Sequence, residues 1–208
     1  MIEVSEQISA VRREVRSRTL EAGEAQVVTI SQSYDATVDD VWDACTNPER
    51  IPRWLMPVSG DLRLGGRYQL EGNAGGTIET CDPPRAFSAT WEYGGAMSWI
   101  EVTLAGQGDR TRVTIEHIAH VEDERWQQYG PGAVGIGWDM MVMGLARHLA
   151  TGAANDPAAA AAWMASPEGV EFMTRSSDAW CVAHVASGED AATARERADR
   201  TIAAYTGA

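Results

Sequence analysis

His117 is the residue of this chain whose type and position could do acid–base or ligand-binding chemistry. It closes the segment RVTIEH, residues 112 to 117, in which apolar and polar side chains alternate as they do in a half-buried strand. Val113 and Ile115 would share one face of that strand with His117, so we expect the imidazole to point inward. Two roles are open there: a neutral core histidine bonded within the protein, or a polar anchor in an apolar pocket.

The other reactive residue types form no recognisable catalytic or metal-binding motif. The three cysteines are odd in number and far apart, which predicts reduced packing residues rather than a disulfide framework or a metal knuckle. His120 would lie on the opposite face from His117 or beyond the strand end, so the two form no metal site. The turn GNAGG, residues 72 to 76, leads into a strand and lacks the lysine of a P-loop, which favours a hairpin turn. We therefore expect no cofactor.

Charge and composition narrow the classes of partner. A formal net charge of -13 disfavours nucleic acid and anionic membrane surfaces, and the basic segment at residues 11 to 18 is interleaved with acids. No stretch approaches the ~20 apolar residues of a membrane helix, and the N-terminus lacks the layout of a signal peptide. We expect a cytoplasmic protein that binds neither nucleic acid nor membrane.

The predicted elements come in the order strand, helix, several strands and long helix. Residues 25 to 36 alternate as a strand, and Thr37 can cap a helix that ends at Asn47, before proline. Five alternating segments at roughly 10-residue spacing follow, bounded by glycine and proline, and predict an antiparallel sheet of six or seven strands in all. Residues 130 to 152 carry an apolar stripe, which predicts one long helix covering a face of the sheet.

The two ends of the chain are expected to lie outside this domain. Ser166 followed by Pro167 is a helix-start signal, and an alanine-rich, charged segment follows, so the tail is predicted to be helical. The tail would either dock on the domain or form a homodimer through its helices. The predicted division is an N-terminal extension at 1–24, one domain at 25–152 and the tail at 153–208.

Several segments together resemble one family, in the family's order. The resemblance covers about residues 25 to 150 and includes the run from Tyr34 to Tyr68, GNAGGTIETCDPP, TWEY, RVTIEH and GPGAVGIGWD. These segments are similar to the bacterial branch of the activator-of-Hsp90-ATPase-like proteins, in the START/Bet v 1 superfamily. The resemblance implies an α+β helix-grip fold, in which a curved antiparallel sheet wraps around a long C-terminal helix, often with an apolar cavity between them.

On that fold, the stretch VWDACTNPERIPRWLMP, residues 41 to 57, would close one end of the cavity. Pro48 breaks the first helix, and Pro52 can begin a short second helical turn that carries Trp54 and Met56 towards the rim. We expect this apolar end to be a lid over the cavity, although packing alone would also bury it.

Family membership implies the fold better than the ligand. We expect binding of a small hydrophobic or aromatic molecule between sheet and long helix, rather than catalysis. The alternatives are a polyketide-type cyclase or isomerase that uses His117 with Tyr68 or Trp91, and sequestration of a toxic natural product such as an enediyne. A role as Hsp90 co-chaperone is disfavoured, because the eukaryotic co-chaperone joins this domain to a separate N-terminal domain and about 24 residues precede it here. The residues expected to line the ligand site are Trp54, Met56, Tyr68, Trp91, Tyr93, Ile100, His117, Trp138, Met141 and Leu145.

Overall fold

The computed structural model describes residues 3–21, 23–121 and 124–207. Within these residues there are seven α-helices, eight strands and one 3-10 turn, Ile51–Arg53. The helices are α1 (Val4–Ala10), α2 (Val38–Thr46), α3 (Glu124–Tyr129), α4 (Gly132–Thr151), α5 (Pro157–Met164), α6 (Pro167–Ala186) and α7 (Ala191–Thr206). The strands are β1 (Arg12–Leu20), β2 (Gly23–Tyr34), β3 (Val58–Gly60), β4 (Arg67–Leu70), β5 (Gly75–Asp82), β6 (Ala86–Tyr93), β7 (Ala96–Gln107) and β8 (Arg110–His120).

The strands form one curved, open antiparallel sheet in the order β1-β2-β8-β7-β6-β5-β4-β3. With its long C-terminal helices, the chain has the predicted α+β helix-grip fold. The sheet of the described residues has eight strands instead of six or seven. The segment predicted as an N-terminal extension contains α1 and the edge strand β1, and the short edge strand β3 precedes the five predicted segments.

The predicted helix boundaries are confirmed at their caps. The hydroxyl of Thr37 accepts a hydrogen bond from the Asp40 amide, and α2 ends just before Asn47. Ser166 caps α6 in the same way, with Pro167 at the first helical position. These signals are local, so the sequence carries them without help from tertiary contacts.

The chain divides into two compact units. The first unit consists of Met1–Ile30, His120–Met140 and Asp156–Ala208, and the second unit of Ser31–Ala119 and Met141–Asn155. This grouping places the N-terminal segment and the C-terminal helices in the same unit, together with the first half of α4.

The first unit is built around a buried carboxylate, Asp139 on α4. Arg13 of β1 donates to both of its oxygens, from Nη2 at 2.6 Å and from Nε at 3.0 Å, and the Arg13 and Asp139 side chains are 6% and 1% exposed. Ser176 Oγ and Trp180 Nε1, both on α6, donate to the same carboxylate at 2.6 and 2.9 Å. A buried ion pair is tolerated when its partners are fully hydrogen-bonded, and here the bonds join β1, α4 and α6.

The second unit has an apolar core between its strands and the second half of α4. Tyr34 also donates from its hydroxyl to the Val142 carbonyl, at 3.3 Å. The buried members of this core cluster are Tyr34, Val41, Ala44, Val102, Leu104, Val113 and Leu145.

Removal of the Asp139 carboxylate should strongly destabilise the protein. Asp139→Ala would leave the Arg13 charge buried without a partner, and we expect a loss of about 3–5 kcal/mol in the free energy of unfolding, measured by urea denaturation. Arg175→Ala is the matched control, because Arg175 and Glu171 form an exposed pair on α6 with side chains 48% and 52% exposed. That control should change stability by less than about 1 kcal/mol. Equal, small losses in the two variants would contradict the central role of Asp139.

Candidate functional site

One face of the sheet in the second unit brings together several of the residues predicted to contact a ligand. Cross-strand partners share a face, and Ile100 pairs with His117 on one side and with Ala89 on the other. Trp91 pairs with Ser98 in the next inward position along β6 and β7. This inner face is the same one that carries the core residues of β7 and β8 two positions further along.

His117 lies buried in the inner face and is bonded within the protein. Ser98 Oγ donates its proton to the Trp91 carbonyl at 3.1 Å, and it lies 2.9 Å from His117 Nε2. Because the serine proton is already used, the Nε2–H of His117 donates to the serine oxygen, which leaves the lone pair on Nδ1. The His117 and Trp91 rings also meet edge to face, with centroids 6.1 Å apart.

The titratable groups of the inner face are held in their neutral forms. Burial lowers the pKa of His117 from its ordinary 6.5 to about 4. Burial, and to a smaller extent the charge of Glu92, raise the pKa of Tyr68 well above its ordinary value. The Tyr68 hydroxyl donates to the Thr90 carbonyl at 2.8 Å. At neutral pH this face can therefore offer a ligand neutral hydrogen-bonding groups, but it has neither an imidazolium nor a phenolate.

The segment predicted as a lid is fixed by hydrogen bonds inside the second unit. The Trp54 indole donates to the Ala44 carbonyl at 2.9 Å, and its ring packs against the core cluster. Asn155 Nδ2 donates to the Leu55 carbonyl at 2.9 Å, and Arg53 Nη2 donates to the Gly152 carbonyl at 2.7 Å. Residues 53–55 are thus anchored beside the C-terminal end of α4.

The other predicted ligand contacts occupy different surroundings. Met56 and Met141 are half-buried, and Leu145 is part of the core cluster. Trp138 is buried in the first unit. Tyr93 departs from the inward placement expected for it: it is 48% exposed, since β6 ends there beside the glycine turn.

The sequence analysis did not identify Ser98 as the partner of His117. The signal was a lone hydroxyl residue in an otherwise apolar inward row of β7, opposite a strand with an inward histidine. Such a residue is the natural partner of a buried imidazole, because buried polar groups are normally hydrogen-bonded.

The described residues form few sites of other kinds. Among the described residues, no cluster of three or more histidine, cysteine or acidic side chains could hold a metal ion. No helix in that part of the chain combines the length and apolarity needed to cross a membrane. The cysteines are unpaired, and Cys81 is exposed on β5 instead of packed as expected, because β5 has no cover over that position.

The fold and its inner face define a helix-grip protein of the START/Bet v 1 type. Residues 35–150 match the family model described as "Activator of Hsp90 ATPase homolog 1-like protein". The match covers more than half of the chain, so the chain belongs to this family. The resemblance seen in the sequence is therefore confirmed.

Solved structures of similar proteins support the assignment. CalU16 from Micromonospora echinospora is 36% identical; its crystal structure aligns over 84% of this chain and 98% of its own, with a TM-score of 0.68. Its solution structure aligns over 86% and 97%, with a TM-score of 0.73. DynU16, a protein in the dynemicin biosynthetic locus, is 24% identical over 62% of this chain and 48% of its own, with a TM-score of 0.55, which shows the fold alone. No curated protein matches the chain.

Neutral His117 makes stability depend on pH. Between pH 6.5 and about 4 the unfolded chain binds a proton at this residue that the folded protein does not, so stability falls as the pH falls through this range. The loss should reach about 3 kcal/mol below pH 4. His117→Gln should remove this part of the pH dependence of the free energy of unfolding, measured by urea denaturation at a series of pH values. An NMR titration that finds the His117 imidazole protonating near pH 6.5 in the folded protein would contradict this.

Gly144 should tolerate no side chain, because α4 approaches the backbone of Trp54 closely there. A Cβ atom at this position would lie 2.5 Å from the Trp54 carbonyl oxygen. Gly144→Ala should therefore destabilise the protein by about 1–3 kcal/mol, although alanine is the better helix former. Gly137→Ala, on the same helix, is the control, since its Cβ would meet Tyr205 Oη at an ordinary 3.7 Å. Denaturation curves in which both variants gain stability would show that the approach at Gly144 is loose.

Proposed function

We propose that the protein binds a small hydrophobic or aromatic molecule against the inner face of the second unit. The observation that carries the proposal is the character of that face: Trp91, Ile100 and Tyr68 are apolar or aromatic, and His117 is kept neutral and bonded to Ser98. Binding sites for small apolar molecules have this composition, with mostly hydrophobic walls and a few fixed polar groups.

The same observation favours binding over acid–base catalysis. A cyclase or isomerase that relies on His117 needs an imidazole able to take up and give back a proton near neutral pH. A pKa of about 4 makes this imidazole a weak base, and its Nε2–H is engaged by Ser98. The residue named for the catalytic alternative is therefore better suited to orient a ligand than to transfer a proton.

Natural-product sequestration is a narrower form of the same function. DynU16 is a protein in the dynemicin biosynthetic locus, and the likeness to it supports a shared fold. The binding experiment for this chain therefore includes polycyclic probe molecules.

The proposal is tested by titrating the purified protein with naphthalene, anthraquinone and a steroid, followed by NMR and by thermal shift. At least one probe should bind, with shifts centred on β6 to β8. Trp91→Leu should then weaken binding by about tenfold, which corresponds to ~1.4 kcal/mol. Trp99→Leu is the matched control: Trp99 is also half-buried, but it lies on the opposite face of the neighbouring strand.

Two results would overturn the proposal. One is the absence of binding by every probe. The other is an equal loss of affinity in the Trp91 and Trp99 variants, which would place the bound molecule elsewhere. Chromatography of the incubated probes checks for conversion, and turnover that disappears in His117→Gln would establish the enzyme alternative instead.

A further inference from the structure

A second histidine of the second unit, His148, has a buried nitrogen whose hydrogen bond is missing. His148 lies in the last turn of α4 and is 5% exposed. The helix ends at Thr151, and Gly152, with φ of +66°, turns the chain back on itself. This turn brings the Ala153 carbonyl to 3.1 Å from His148 Nδ1.

That contact fixes the form of the imidazole. A carbonyl oxygen can only accept, so Nδ1 carries the proton and donates it to Ala153. In the neutral ring, Nε2 then bears a lone pair and is an acceptor. This atom is buried, and no described residue donates a hydrogen bond to it. A buried acceptor without a donor costs about 1–3 kcal/mol, so the site favours any molecule that supplies an O–H or N–H group there.

His148 belongs to the same unit as the inner face that forms the candidate binding site. Met141, Leu145 and His148 follow one another at helical spacing, so they share a stripe of the helix, and Leu145 lies in the core cluster. One turn before His148, Gly144 meets the Trp54 carbonyl, and just after the helix Asn155 holds the Leu55 carbonyl. His148 therefore lies on the length of α4 that residues 53–55 cover.

We propose that His148 Nε2 accepts a hydrogen bond from a hydroxyl group of the ligand, so that the ligand is an apolar or aromatic alcohol or phenol. The inference rests on the proposed function and specifies the ligand class of that site. A neutral lone pair attracts a donor and gives no attraction to a carboxylate or a phosphate. His117 differs from His148 in this respect, because its Nε2 is already paired with Ser98.

The probes that test this are 2-naphthol and 2-methoxynaphthalene, which share the ring system and differ in the hydrogen-bond donor. The wild-type protein should bind 2-naphthol at least about tenfold more tightly, the equivalent of one good hydrogen bond. His148→Phe should reduce that preference to less than about twofold while retaining affinity for 2-methoxynaphthalene, since the variant keeps an apolar ring of similar shape. His120→Phe, a histidine replacement in the first unit, should keep the wild-type preference.

A direct readout uses wild-type protein with ¹⁵N-labelled histidine, and it holds even where His148→Phe fails to fold. The Nε2 resonance of His148 should have the shift of an unprotonated nitrogen without ligand, and it should move upfield when 2-naphthol binds. An unchanged resonance, with equal affinities for the two probes, would overturn the inference and leave the proposed function standing. The inference would likewise be overturned, and the proposed function left standing, if a bound water already shifts the His148 Nε2 resonance upfield and 2-naphthol does not alter it. Failure of both probes, and of naphthalene, anthraquinone and the steroid, to bind would overturn both proposals together.

Discussion

The carboxylate of Asp139 accepts hydrogen bonds from β1 and α6 at once, and the stability of the first unit depends on these bonds. A carboxylate this deeply buried is unfavourable alone, and so is the guanidinium of Arg13. Arg13, Ser176 and Trp180 together supply the hydrogen bonds that the buried Asp139 carboxylate needs. These bonds hold β1, α4 and α6 together. Two turns further along the same helix, Leu145 enters the core cluster of the second unit.

The difference between local patterns and distant contacts such as Arg13–Asp139 also explains which parts of the fold the sequence predicts. Period-2 alternation, helix caps and an apolar helical stripe are local patterns, and they predict α2, α4, α6 and the strands of the second unit other than β3. Strand β1 escapes the same reasoning, because the inward position between Val11 and Val15 is held by Arg13. An arginine reads as an exposed residue until its partner, 126 residues away in the chain, is known. Strand β1 therefore depends on a tertiary contact, which no local sequence pattern predicts.

The residues of the candidate site likewise divide into those whose placement a local pattern predicts and those whose partners depend on tertiary contacts. Alternation predicts that His117 faces inward, and it does. The identity of its partner depends on the register between β7 and β8 and on the Trp91 carbonyl of β6, which fixes the serine proton. For His148, a helical pattern predicts only a position on the inward stripe. Its unpaired nitrogen arises from the turn at Gly152, which uses the other nitrogen of the ring to bond Ala153.

In the proposed function, the two histidines would give an apolar interior its specificity through hydrogen bonds. With a pKa of about 4, only about 0.1% of His117 is protonated at pH 7, so this ring stays a neutral dipole whose orientation Ser98 sets. His148 would offer the complementary element, an acceptor to which no described residue donates a hydrogen bond. A family can keep the sheet, the long helix and their core while a few such positions change. In the proposed function, the ligand would be chosen by which hydrogen bonds the interior leaves unmade, because apolar walls alone discriminate weakly between molecules of similar shape.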